Sequence, residues 1–562
     1  MREGMGLRSL LLATRVLTFA TSPARSPDAE LLPLTIAPTL PTLGTPTLKA
    51  WSCVDRGEVH AVRACTLAQL ATADGDGNFV APPRISDPTD GAPDAAAEAS
   101  AFFHAARARS FFEGLAGQSL PNGVDVVAGL RIPLSLREGD LAKAALPATV
   151  LDPFAVSFYL HAGELPAFDQ IYGTTRGTVW LGRGASRDNA YDGTIVQHEM
   201  THAMLDGLLP ARGFRFGPYG ASAEPEAMSE ALADYFSAAM GNDPRIGEWV
   251  SGEPGLSLAY RDLSALVACP AILDGRAHDE SLLLSGSLWS ARSALDEASR
   301  DAFDGAVYHA VARTPARVDI GFSDLVASIA PVAFADAVRT ELARRNVGCA
   351  PIVDPGAALR ATRGTFYAPG TDVFAAAVGG TPSVAPGIVQ LRVDVPSGTK
   401  RIVVELQASS GGGQLFAPVR TPFAPSVLAS WDAPLQWTGA TPSANVEGVA
   451  SSDAIARAAL DVPVGVKVAY LQIVNRGQSD GTYDYVTVTM TSEVPSPPSP
   501  GVNEAPFEAS GSGCAMKGGR PGEEGSGALL VASVLAALTA RGSRGGTGGR
   551  RSCRGWSWPS SR

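Results

Sequence analysis

Lysine is close to absent from this chain: five of 562 residues, so that arginine dominates the 45 basic positions. We read that as coding bias, not as function. Positive charge is short as well. With 56 acidic residues the net charge is −11, which argues against nucleic acid as the main partner. Cysteine is scarce, at six, and no Cys-x-x-Cys occurs, so a cysteine-ligated zinc module is not indicated. Six cysteines suit an exported protein. Cys53 and Cys65 are near enough in sequence for a local disulfide, and Cys269 and Cys349 would close a longer loop. Cys514 and Cys553 stand apart, and the spacing leaves the pairing open. Long apolar runs are missing too. The segment Gly527–Ala540 falls short of the roughly 20 residues that span a bilayer. An apolar share of 45% with 18% charged residues nevertheless describes a globular chain.

What is present divides along the length, which suits roughly two to four domains. Arg2 and Arg8 precede the largely apolar stretch Leu10–Ala20, so residues 1–25 read as an export signal. Residues 26–50, rich in Pro, Thr and Leu, read as a linker. Residues 51–185 read as strands around one helix, Ala95–Leu115, whose apolar side carries Phe102, Phe103, Phe111 and Phe112. The strand-like runs there are Val124–Leu130, Val150–Leu160 and Thr178–Leu181. His104 and His161 read as packed or surface histidines. Residues 186–355 read as mostly helical, with one helix over Ser281–Ala298. From 356 to 494, Val389–Val395, Arg401–Leu406, Lys467–Val474 and Tyr483–Met490 alternate with period two, which predicts a β-sandwich. Residues 495–525 are a Pro/Ser/Gly-rich linker, and 526–562 hold the short apolar helix and an arginine-rich tail.

One segment carries chemistry. In His198-Glu199-Met200-Thr201-His202 the imidazoles are four apart, on one face of a helix. Two such imidazoles grip one zinc ion while the intervening glutamate stands beside its open position. Downstream, Glu230 and Asp234 lie one turn apart in Ser229-Glu230-Ala231-Leu232-Ala233-Asp234. The assignment is His198, His202 and Glu230 as metal ligands and Glu199 as general base. Asp234 then orients a ligand histidine. Hydrolysis of an amide also needs a donor to the carbonyl oxygen. His278 is the first candidate and Tyr219 the second. Calcium enters through Asp74-Gly75-Asp76-Gly77-Asn78, which lacks the remaining ligands of an EF-hand loop and reads first as a turn.

His198–Leu205 followed by Ser229–Phe236 resembles the thermolysin- and fungalysin-type zinc metallopeptidases, the gluzincins. The resemblance implies an α+β fold with a β-rich N-terminal lobe, a helical C-terminal lobe and a cleft between them. It carries His198, His202 and Glu230 over as ligands, Glu199 as base, Asp234 as supporting acid and His278 as donor. Ser229 replaces the usual asparagine, and Pro166-Ala-Phe168-Asp-Gln stands roughly where the substrate-gripping strand is expected. The tail, with its linker, Gly513-Cys514, short apolar helix and arginines, resembles the C-terminal sorting tails of myxobacterial surface proteins, which implies anchoring at Cys514.

The expectation is a secreted or surface-anchored zinc metalloendopeptidase acting on polypeptides, with membrane or cell-surface attachment through the tail. The competing readings are another zinc hydrolase, such as an aminopeptidase, and a zinc-bearing adhesion protein without catalysis.

Overall fold

The computed structural model describes residues 14–59, 62–85, 92–133, 151–164, 166–209, 213–252, 260–273, 275–315, 317, 320–354, 360–361, 366–408, 425–449, 455–478 and 481–492. The first residues of the expected export signal, the linker 495–525 and the tail with Cys514 and Cys553 lie outside them. The class is α+β, as expected.

The chain starts with an antiparallel pair, β1 (Arg15–Thr18) and β2 (Glu30–Pro33). Helix α1 (Ala95–Ala116) opens on Asp94, whose carboxylate accepts the Ala96 and Ala97 N–H groups. It packs on a mixed sheet of β3 (Leu48–Val59), β4 (Val62–Ala68), β5 (Val124–Pro133), β6 (Leu151–Pro153), β7 (Phe158–Leu160) and β8 (Gly177–Gly182). The order is β4-β3-β5-β8-β7, with β6 on β5. β3, β5 and β8 are parallel, and the edges β4 and β7 are antiparallel. All six residues of β8 are buried, as a strand flanked on both sides demands.

One expectation needs correction here: 26–50, read as a linker, packs into the fold, and residues 14–25 of the expected export signal pack there as well. Val16 and Phe19 are buried, Thr21 accepts from the Gly193 N–H at 2.7 Å, and Arg25 pairs with Asp243 and Glu248. Leu43 and Leu48 are fully buried. Proline and threonine made this stretch look like a spacer, but its leucines bury apolar area in the core.

Short helix α2 (Pro166–Tyr172) precedes the helical part: α3 (Gly193–Leu205), α4 (Glu224–Gly241), α5 (Ala277–Ser293), α6 (Glu297–Arg313), α7 (Phe322–Ala327) and α8 (Val332–Arg344). The expected helix 281–298 is two helices, because Asp296 accepts the Ser299 N–H and starts α6. The 150–160 run is likewise two strands, β6 and β7. One apolar core runs from Val126 in the sheet through Phe102 and Phe112 of α1 to Met200, Leu232 and Leu284.

The C-terminal region holds β13 (Ile352–Val353), β14 (Arg360–Ala361), β15 (Phe366–Ala368), α9 (Thr371–Val378), β16 (Ala385–Asp394), β17 (Arg401–Ala408), β18 (Pro425–Trp431), β19 (Trp437–Thr438), β20 (Thr441–Pro442), β21 (Val446–Val449), β22 (Ile455–Asp461), β23 (Val468–Asn475) and β24 (Gly481–Thr491). Two sheets face each other. One is β13-β16-β23-β18-β21; the other is β24-β17-β22 with β14 and β15 on β24. Leu391, Val427 and Leu471 of the first meet Ile402, Val404 and Val488 of the second. The four alternating runs are β16, β17, β23 and β24.

Disulfides join Cys53 to Cys65 and Cys269 to Cys349, which is compatible with an extracellular protein. Among the described residues no helix is long and apolar enough to cross a membrane.

Candidate metal centre

Helix α3 is placed by a buried acid. One oxygen of Asp192 accepts from the Thr194 N–H (3.1 Å) and hydroxyl (2.6 Å). The other accepts from Trp249 N (3.0 Å) and Val250 N (3.3 Å). The carboxylate therefore caps the helix and ties it to a distant loop. Val196, Met200 and Ala203 face the core, which leaves His198, Glu199 and His202 toward α4. Helix α4 carries Pro225 in its first turn and ends on Asn242 in the left-handed conformation.

The packing of α3 on α4 brings three donor atoms together. Nε2 of His198 lies 3.1 Å from Oε2 of Glu230 and 3.3 Å from Nε2 of His202, and His202 Nε2 lies 3.6 Å from Glu230 Oε1. Bonds of about 2.0–2.1 Å in a tetrahedron put neighbouring donors about 3.3–3.4 Å apart, close to these separations. His278 joins from the first turn of α5. Its Nδ1 is 3.5 Å from Glu230 Oε2, and its ring centroid is 6.1 Å from that of His198. His198, Glu230 and His278 form a group able to hold a metal ion, their ligand atoms all within 4.8 Å of one another.

The far side of each α3 imidazole is fixed. His198 Nδ1 lies 2.9 Å from Asp234 Oδ1, and His202 Nδ1 lies 3.3 Å from the Ser229 hydroxyl. Holding Nδ1 leaves Nε2 turned toward the shared space, where it could meet a metal ion. Asp234 is fully buried, and Arg261 (on β12, Arg261–Asp262) grips both of its oxygens at 2.8 Å.

The electrostatics favour a cation. Burial opposes charge on His198, yet hydrogen bonds and charge from Asp234 and Glu230 raise it to about 10. Burial pushes Glu230 up, but His278, His202 and His198 hold it well below the usual carboxylate range. Asp234 is held low by Arg261 and His198 against its own burial. Burial raises Glu199, with the three histidines opposing. A proton or a metal ion meets the same demand for positive charge among these groups.

The structure thus brings together His198, Glu199, His202, Glu230, Asp234 and His278. Tyr219 is the one expected residue that these contacts do not join to the group. Among the described residues no hydrogen bond or ring contact joins its ring to the cluster, and its carbonyl is bonded by Gln390 and Gln472. A correction concerns Pro166-Ala-Phe168, which is the start of α2; the strand at the sheet edge is β7. Its Tyr159 hydroxyl donates to Asp206, just past the end of α3, at 2.9 Å. Asp74 accepts the Asp76 and Asn78 N–H groups on one oxygen, forming the turn that was read there. His104 is fully buried, whereas His161 is partly exposed beside Glu164. Arg261 went unnoticed in the sequence, and no local pattern marks it. Compared with protein-family models and with curated proteins, the chain matches none.

Proposed function

We propose that the chain is a zinc-dependent metalloendopeptidase of the gluzincin type, with a cleft between its β-rich and helical parts. The observation that carries this reading is the convergence of two imidazole nitrogens and one carboxylate at tetrahedral separations, with Glu199 beside them. That donor set suits zinc, which supplies Lewis-acid activation of water and of the scissile carbonyl. His198, His202 and Glu230 hold the ion. Glu199 takes the proton from the attacking water and returns it to the leaving amine, a role that its raised basicity serves. His278, 40% exposed at the rim, donates to the carbonyl oxygen as charge builds there. β7, the last strand of its sheet among the described residues, runs alongside the proposed cleft as an extended polypeptide would.

Purified protein is expected to carry one zinc per chain, and chelation to abolish casein cleavage. Glu199→Gln is expected to keep the metal and lose about 10² or more in turnover. A Glu199→Gln enzyme as fast as the parent sinks the proposal.

A further inference from the structure

The connection between the two ligand helices does not hang free. It forms a hairpin of β9 (Arg215–Gly217) and β10 (Gly220–Ser222), and the tip of that hairpin enters the C-terminal β-domain. The Pro218 carbonyl accepts from Trp437 N at 2.8 Å. The Tyr219 carbonyl accepts from two side chains at once, Gln472 Nε2 at 2.9 Å and Gln390 Nε2 at 3.2 Å. Gln390 and Gln472 face each other across β16 and β23, and both are fully buried.

Their remaining groups are satisfied within the β-domain. Gln390 accepts from Leu435 N (3.0 Å), and Gln472 accepts from the Trp437 indole (2.8 Å) and donates to the Gly387 carbonyl (2.9 Å). Two buried amides in fixed orientation thus form a receptor for one backbone carbonyl. The approach is close. Gly220 sits at φ +125°, and a Cβ there would stand 2.6 Å from the Gly387 carbonyl oxygen. Ala221 is buried in the sandwich core, and Phe216 stacks obliquely on Phe374 with ring centroids 4.7 Å apart.

From the hairpin the chain passes directly into α4. Ser222 accepts the Glu224 N–H (3.3 Å), while Glu224 pairs with Arg215 of the hairpin and accepts from Phe322 N (2.6 Å). Ser229, bonded to His202, and the ligand Glu230 follow within the next two turns.

We infer that the C-terminal β-domain is a working part of the metal centre: Gln390 and Gln472 are positioning residues that, through the Tyr219 carbonyl, set where α4 begins and so where Glu230 meets His198 and His202. The inference rests on the cluster holding a metal, not on which bond the enzyme cuts.

The test uses the full chain. Gln472→Met and Gln390→Met keep the side-chain length and remove the donor. Zinc affinity is measured by competition with a chromophoric chelator, alongside the thermal midpoint and the Co2+ d–d spectrum. The control is Val404→Ala, which opens the core of the same β-domain on β17, a strand of the sheet that does not carry Gln390 and Gln472. Each glutamine variant is expected to bind zinc about 10-fold more weakly, the size typical of losing an outer support of a ligand, with an altered Co2+ spectrum. Val404→Ala is expected to lower the midpoint and leave affinity and spectrum unchanged. Glutamine variants with parental affinity and spectrum overturn the inference, as does a Val404→Ala protein that loses affinity equally. A parent that binds no zinc overturns the metal reading and this inference together.

Discussion

Nδ1 of His198 lies 2.9 Å from Oδ1 of Asp234, and the same carboxylate is clamped by Arg261 at 2.8 Å on each oxygen. One buried acid therefore serves two partners, the His198 imidazole and a guanidinium. Asp234→Asn keeps the shape and removes the charge. It is expected to weaken zinc binding about 10–100-fold through the misdirected imidazole. It also leaves Arg261, 6% exposed, without its counter-charge, at a cost of about 3–5 kcal/mol. Chelator competition and urea unfolding measure the two effects. A variant that loses one and not the other shows that the acid does not couple them.

His278 stands near Glu230 yet is more exposed than the other histidines of the cluster. As a donor to the reacting carbonyl, its removal in His278→Ala should cut kcat by about 10² and leave the zinc content unchanged. Loss of bound metal in that variant would make it a ligand instead.

Gly193 opens α3 where two other segments press against it. A Cβ there would overlap the His104 ring and come within 2.7 Å of the Thr21 carbonyl. Gly193→Ala is expected to lower unfolding stability by about 1–3 kcal/mol, the usual range for forced overpacking. Denaturant midpoints for parent and variant decide it.

Burial, with Arg107 nearby, holds His104 down to about 3. In the unfolded chain the same imidazole titrates near its ordinary value of 6.5. Between those values the unfolded state binds the extra proton, so stability is full above pH 6.5 and falls as the solution becomes more acid, by up to about 1.4 kcal/mol per pH unit from this group. His104→Met should flatten that portion of the stability–pH curve. Parallel curves for parent and variant would show that His104 does not titrate on unfolding.

What was legible in the sequence is what repeats locally. The four-residue spacing of His198 and His202 and the one-turn spacing of Glu230 and Asp234 place each pair on a helix face. Period-two alternation marked β16, β17, β23 and β24. The partnership of Arg261 with Asp234 joins residues 27 apart through a two-residue strand, and no periodicity encodes such a contact. Tyr219 meets the β-domain through its backbone carbonyl, and a backbone group has no signature in residue type. The segment from 26 to 50 was misread as a linker because composition reports what a stretch contains, not what covers it; the leucines at 43 and 48 are core residues.

The Cys269–Cys349 bond has a mechanical meaning. It joins residues 80 apart in sequence, and α5 to α8 all lie inside the loop it closes. A pull applied along the chain from the β-domain side passes through sulfur from residue 349 to residue 269 and bypasses those four helices. The bundle behind the rim histidine is thereby spared from stretching, and along the backbone the load reaches α4 by way of the segment before Cys269.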